Sequence, residues 1–162
     1  IRSIPPYSIT NLEAIIDSSK PGELVCKKDL LENKYLRIEL DQSGDITRIY
    51  DKKAGREVLP EGSIANQWIA FEDRPLNWDA WDIDIFYDDK SWLPEPASSI
   101  KVHNNDPLRM SLEIQRQILS SPYTQIISHS HNSPRLDFVT EIDWKDLKIL
   151  LKSAFPVDVL SP

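Results

Sequence analysis

The sequence predicts an all-β protein built as an antiparallel β-sandwich. Three observations carry that prediction. Apolar and polar residues alternate with period two in successive runs from Leu36 onward, the spacing of strands with one buried face. Turn residues separate the runs at the short intervals of a sandwich. All four glycines (Gly22, Gly44, Gly55, Gly62) fall in those turns, and none falls inside a run, where the missing side chain would weaken packing. There is no βαβ alternation, internal repeat or low-complexity tract.

Residues 1–23 read as a lead-in segment or linker. Pro5-Pro6 excludes regular structure at the start. Thr10 and Glu13 have capping-box spacing for one helical turn over residues 11–17, which Ser18-Ser19-Lys20-Pro21-Gly22 ends. Residues 24–162 form the sandwich domain. Leu36, Ile38 and Leu40 alternate with Arg37 and Glu39. Gln42-Ser43-Gly44-Asp45 is a tight turn in which Gly44 takes positive φ, and Ile46–Asp51 returns as the hairpin partner. Lys52-Lys53-Ala54-Gly55 turns into a short run over residues 56–59, and residues 66–72 form the next strand. Leu108, Met110, Leu112 and Ile114, with Arg109, Ser111, Glu113 and Gln115 between them, make the clearest strand in the chain. Residues 123–130 and 136–144 are two more, joined by Asn132-Ser133-Pro134, with Leu136, Phe138, Ile142 and Trp144 on one face. A final strand covers residues 146–159, although residues 147–152 also fit a helix.

At 162 residues and 40% hydrophobic content the chain can bury a real core as one domain. The net charge of −7, with no basic patch, argues against nucleic acid or an anionic membrane surface as a partner and leaves neutral ligands such as sugars open. No apolar run approaches the roughly 20 residues of a membrane span, and no signal peptide opens the sequence. The single cysteine, Cys26, forbids an intrachain disulfide, which fits a reducing cytoplasm as the expected location. The one methionine, Met110, is internal, and residues 155–162 stop in what reads as a strand. The expectation is an internal, truncated fragment of a longer protein.

Residues 71–84, F-E-D-R-P-L-N-W-D-A-W-D-I-D, concentrate two tryptophans and five of the 26 acidic residues in one short segment. Indoles beside carboxylates suit a sugar. The ring face covers the C–H face of a pyranose, and carboxylates accept hydrogen bonds from its hydroxyls. In an extended segment Asp79 and Trp81 share a side and point to sugar, while Asp82 faces the other way and accepts backbone N–H groups. Trp78 reads as a core residue, Asp73 and Arg74 as a local ion pair before Pro75, and Asp84, Asp88 and Asp89 as solvated. His129 and His131 form an H-x-H pair that a strand would aim to one side, but a metal site needs further ligands and none is evident. His103 reads as a surface residue. Ser98-Ser99 and Ser120-Ser121 are loop composition, and Cys26 is a buried small hydrophobe.

The D-A-W-D core after the D-x-P turn resembles the β-rich C-terminal region of α-mannosidases of glycoside hydrolase family 38. The hairpin over residues 33–59, with its I-Y-D-K strand, and the K-I-L-L-K-S-A-F-P-V-D-V stretch ending at Val159 resemble the same region. The likeness runs from about Leu24 to the C-terminus. It implies a sandwich of the galactose-mutarotase-like supersandwich type, truncated here. It implies a parent glycosidase that hydrolyses terminal α-mannosyl linkages with retention, using an aspartate nucleophile, a carboxylic acid and a zinc ion held by His and Asp. In the family those residues lie in an N-terminal barrel and a helical domain, so no catalytic residue and no zinc ligand is carried onto this sequence. Asp79, Trp81 and Asp82 are the substrate-binding residues it implies, with a mannose-containing carbohydrate and the N-terminal catalytic barrel of the parent as partners. The fragment alone is expected to be inactive and to need no cofactor. Two other readings stay open: a stand-alone carbohydrate-binding module, and a mutarotase-like epimerase, which needs a histidine paired with a carboxylate.

Overall fold

The computed structural model describes residues 24–78 and 81–159. The lead-in segment with its capping turn, Gly22 and Asp79 lie outside the described residues. Twelve strands and one three-residue 3-10 turn make up the regular structure among the described residues, so the all-β prediction holds.

The strands form three antiparallel sheets. The first is a meander of β1 (Val25–Lys27), β2 (Leu30–Glu32), β3 (Leu36–Leu40), β4 (Ile46–Asp51) and β5 (Arg56–Glu57). The second holds β8 (Ser99–Asn105), β9 (Arg109–Ile118), β10 (Ser121–Ser130) and β11 (Leu136–Ile142), in the order β11-β10-β9-β8. The third places β6 (Gln67–Glu72) between β12 (Ile149–Ala154) and β7 (Ser91–Trp92).

The first two sheets face each other across the main core. Leu31, Ile38, Leu40 and Ile46 from one meet Met110, Leu112, Ile114 and Ile127 from the other, all buried. The alternation read from β3 and β9 is therefore the alternation of inward and outward side chains. A smaller core of Ala70, Ile118 and Tyr123 seats the third sheet, with Trp68 stacked on Tyr123 at a centroid distance of 4.3 Å.

The turns do more than reverse the chain. At the β3–β4 turn the Asp41 carboxylate accepts the N–H groups of Ser43 and Asp45, each at 2.9 Å. Gly44 takes φ +82°, and a Cβ there would stand 3.0 Å from Ile114 Cγ2 on the facing sheet. Glycine is needed twice over, for the dihedral and for the space. Asn33, 1% exposed, joins the two sheets. Its Oδ1 accepts the N–H groups of Tyr35 and Leu36 at 2.7 and 2.9 Å, and its Nδ2 donates to the carbonyls of Ser130 and Ser133 at 2.8 and 2.9 Å. At the β9–β10 turn Leu119 takes φ 52°. The Asp146 carboxylate holds this turn by accepting both serine hydroxyls, Ser120 and Ser121, at 2.5 Å. Those hydrogen bonds keep the Asp146 carboxyl below the usual carboxylate range.

Several expectations need correction. The final strand read over residues 146–159 is present but shorter, β12 spanning Ile149–Ala154 and pairing along its whole length with β6, so the helical alternative for residues 147–152 falls. β7 and β8 were not read as strands. A bulge between Val102 and Asn104 breaks the alternation of β8. The strand read over residues 136–144 stops at Ile142, and Ile142 and Trp144 are exposed.

Candidate functional site

The Trp/Asp segment is the loop from β6 to β7, residues 73–90, and the sheet edge thrusts it outward. Leu76, Trp78, Trp81, Ile83, Ile85 and Phe86 are all exposed, with Trp78 at 77% and Trp81 at 88%. Trp78 is therefore not a core residue. It takes φ 62°, and its carbonyl accepts the N–H groups of Trp81 and Asp82 at 3.0 and 3.2 Å. Trp78, Trp81 and Asp82 thus belong to a tight turn and not to an extended strand, so strand alternation does not decide which way Trp81 and Asp82 face. Asp79 itself lies outside the described residues. The turn leaves both indoles unpacked and Asp82 in solvent.

The root of the loop is built from other residues. Glu72 Oε1 receives Arg74 at 2.8 Å and Lys90 at 3.3 Å, drawing the two ends together. The Arg74 ion pair is thus with Glu72 and not with Asp73, whose N–H donates to the Lys148 carbonyl at 2.8 Å and whose Oδ1 is buried without a partner. The carboxylate that accepts a backbone N–H in this loop is that of Asp84, from Phe86 at 2.9 Å, and Asp84 is half-buried. A 3-10 turn, Tyr87–Asp89, follows. Tyr87 meets Phe71 edge to face at 5.2 Å and lies under the ammonium of Lys152 at 3.6 Å. Glu72, Arg74, Asp84, Phe86, Asp89 and Lys90 surround a cleft of about 220 Å³ beside the loop. Sequence reasoning missed Glu72, Tyr87 and Lys152, because their meeting depends on the pairing of β6 with a strand far downstream.

A larger groove of about 850 Å³ opens on the outer face of the second sheet, between Glu95, Gln117, Thr124 and Asp143. Tyr123 borders it, but its ring is already stacked on Trp68, and burial pushes its phenol up to about 12. The two most exposed indoles, Trp78 and Trp81, belong to the 73–90 loop.

The histidines do not assemble a metal site. β10 ends at Ser130, so His131 lies beyond the strand. The His129 ring is fully buried, and its Nδ1 meets the Arg135 carbonyl at 2.9 Å, which makes Nδ1 the protonated nitrogen. Burial lowers its pKa from the ordinary histidine value. Among the described residues no group of three or more His, Cys, Asp or Glu side chains is placed to hold a metal ion. His103 Nδ1 lies 3.4 Å from Glu113 Oε2, a histidine–carboxylate contact that the sequence did not reveal. The pair stands on adjacent strands, β8 and β9, with His103 half exposed.

The described residues thus form an all-β sandwich that holds two exposed indoles on one acidic loop. The comparison with known families is specific: residues 31–162 match the family described as "Glycosyl hydrolases family 38 C-terminal domain", and the chain belongs to that family. It is 33% identical over 134 residues to alpha-mannosidase 2C1 of Mus musculus, covering 82% of this chain and 13% of that protein. It is similarly 32% identical over 170 residues to alpha-mannosidase G of Dictyostelium discoideum, covering 93% of this chain and 16% of that protein. The chain thus spans about one-seventh of the length of the relatives it matches. No helix among the described residues is long and apolar enough to cross a membrane.

Proposed function

We propose that this chain is the non-catalytic sandwich part of a retaining α-mannosidase that hydrolyses terminal α-mannosyl linkages, and that its 73–90 loop meets the sugar. The observation that carries the proposal is the exposed Trp81 indole, held out beside Asp82 on a domain of this family. Burying an indole is strongly favourable, so a loop that leaves two of them almost wholly in water presents them to something. A pyranose C–H face stacks on such a ring, and Asp79 and Asp82 would take its hydroxyls. The nucleophile, the proton donor and the zinc ligands would come from the N-terminal barrel of the parent, outside this sequence. The proposed compartment is the cytoplasm, in keeping with Cys26, a thiol with no disulfide partner that burial holds in its protonated form.

The test uses the full-length parent. Trp81→Ala and Asp79→Asn should each lower kcat/KM for an aryl α-mannoside roughly ten- to more than a hundredfold, the effect of about 1.5–3 kcal/mol of lost transition-state contact. The melting temperature should not change. Wild-type kcat/KM in both variants would reassign the loop to packing between domains. The purified chain alone should neither turn over the substrate nor retain zinc after dialysis. A carbohydrate-binding module is the second reading, since the two free indoles would suffice for it. Mannose binding by the isolated chain would favour it.

A further inference from the structure

Lys152 stands on β12, opposite Ile69 of β6. Its ammonium lies 3.6 Å from the centre of the Tyr87 ring and 5.4 Å from that of Phe71. Those two rings meet edge to face. Phe71 is on β6 just before the loop begins, and Tyr87 opens the 3-10 turn near its far end. One cation from a distant strand therefore touches both roots of the 73–90 loop. None of the ion pairs among the described residues includes Lys152. Its charge is directed at the ring faces, which attract it electrostatically within about 6 Å of a ring centre.

Within the loop, hydrogen bonds at Trp78, Asp84 and Phe86 fix only local turns. Its large apolar side chains are exposed, so burial does not fix their positions. A stacking platform that moves loses the benefit of orientation, because the sugar must then be positioned anew each time. The contacts at the root decide the pose. Glu72 ties Arg74 to Lys90, but both cations are largely in solvent, where ion pairs are weak. The Lys152–Tyr87 contact is half-buried and less screened. We infer that Lys152 is a positioning residue: by clasping Tyr87 against Phe71 it sets the pose in which the loop presents Trp81 to the sugar. The inference rests on the proposed sugar role of the loop. It also gives the lysine of the K-I-L-L-K-S stretch a task that its strand pairing alone does not require.

The test uses the full-length parent carrying Lys152→Met, which keeps the length of the stem and removes the charge, or Lys152→Arg, which keeps a cation over the ring. Trp81→Ala is measured alongside. Two quantities are read: hydrogen–deuterium exchange of peptides covering residues 73–90, and steady-state kinetics on an aryl α-mannoside. Lys152→Met should speed exchange across the loop while peptides from β9 stay as protected as in the wild type. It should lower kcat/KM by about two- to thirtyfold, the range a cation–π contact spans, chiefly through a higher KM. Lys152→Arg should restore both. Unchanged loop exchange in Lys152→Met, or no restoration by arginine, overturns the inference. So does faster exchange with intact kcat/KM when Trp81→Ala is impaired, and in that case the sugar role of the loop survives. If Trp81→Ala keeps wild-type kcat/KM, the sugar role falls and the positioning role falls with it.

Discussion

Replacing Asn33 tests how the two large sheets are held in register. The side chain makes four hydrogen bonds in a site shielded from water, two to N–H groups of its own turn and two to carbonyls of the β10–β11 connection. At a net value of about 0.5–1.5 kcal/mol each, Asn33→Ala should cost roughly 2–6 kcal/mol, a large part of the stability of a typical domain. Asn33→Asp separates the two halves. It keeps the acceptor for Tyr35 and Leu36 but sets a carboxylate oxygen against the carbonyls of Ser130 and Ser133. Burial and those carbonyls raise the pKa of the new carboxyl above the ordinary aspartate value. The sign follows: the unfolded chain ionises more readily at neutral pH, so the defect relative to wild type is largest there. It shrinks as pH falls through the raised folded-state value, where the protonated carboxyl donates one bond back. Equilibrium urea unfolding at neutral and mildly acidic pH is the assay. With a slope of about 2 kcal/mol per molar, a 4 kcal/mol loss moves the midpoint by about 2 M. An Asn33→Ala midpoint within about 0.3 M of wild type at the same slope would show that water replaces the side chain, and would refute the idea that Asn33 fastens the sheets.

Gly44→Ala should destabilise by roughly 2–5 kcal/mol in the same assay, from the left-handed φ and the contact with Ile114 together. Gly55→Ala, at φ +66° with open space around it, should lose only about 1–2 kcal/mol. Equal losses at the two sites would exclude the contact as a cause. His129 is held neutral in the fold, with its pKa below the free value of 6.5, so its contribution is fully present above pH 6.5 and is lost as pH falls through the folded-state value. His129→Gln should flatten that part of the profile of melting temperature against pH, and an unchanged slope would assign it to other groups. Trp68→Leu removes the stack on Tyr123 and should loosen the third sheet more than the main sandwich. Hydrogen exchange that rises equally in β9 and β6 would contradict that division.

The strands most legible in the sequence were those with one face in the main core and the other in water. In β3 and β9 the chemistry alternates as the geometry does. β8 was illegible because its bulge shifts the register at Val102, and His103-Asn104-Asn105 carry weak strand preference. The site was legible in its composition but not in its shape. Trp78 and Trp81 look the same on the page whether buried or exposed, because an indole serves a core as well as a sugar. The residues that hold the loop were beyond reach for another reason. Glu72, Tyr87 and Lys152 each sit in unremarkable surroundings in the sequence, and only the pairing of β6 with β12 brings them together. Asn33 was hidden in the same way, as an ordinary turn residue whose partners lie on the other sheet.

The third sheet has a consequence for the order in which the molecule is made. The first two sheets are meanders that neighbouring hairpins can zip together, but β6 borders β7 on one side and on the other must wait for β12. Pairings between distant segments form late, because the chain entropy of closing the loop is lost before any contact rewards it. On the ribosome, β6 and the whole Trp/Asp loop emerge with one flank bare while β8 to β11 are still being synthesised. During that interval an open strand edge stands beside several exposed apolar side chains, a combination prone to the wrong partners. The arrival of β12 shields the edge and sets the loop in the same step. Substitutions in β12 should therefore appear first as lost yield of soluble protein, before any change in the finished molecule can be measured.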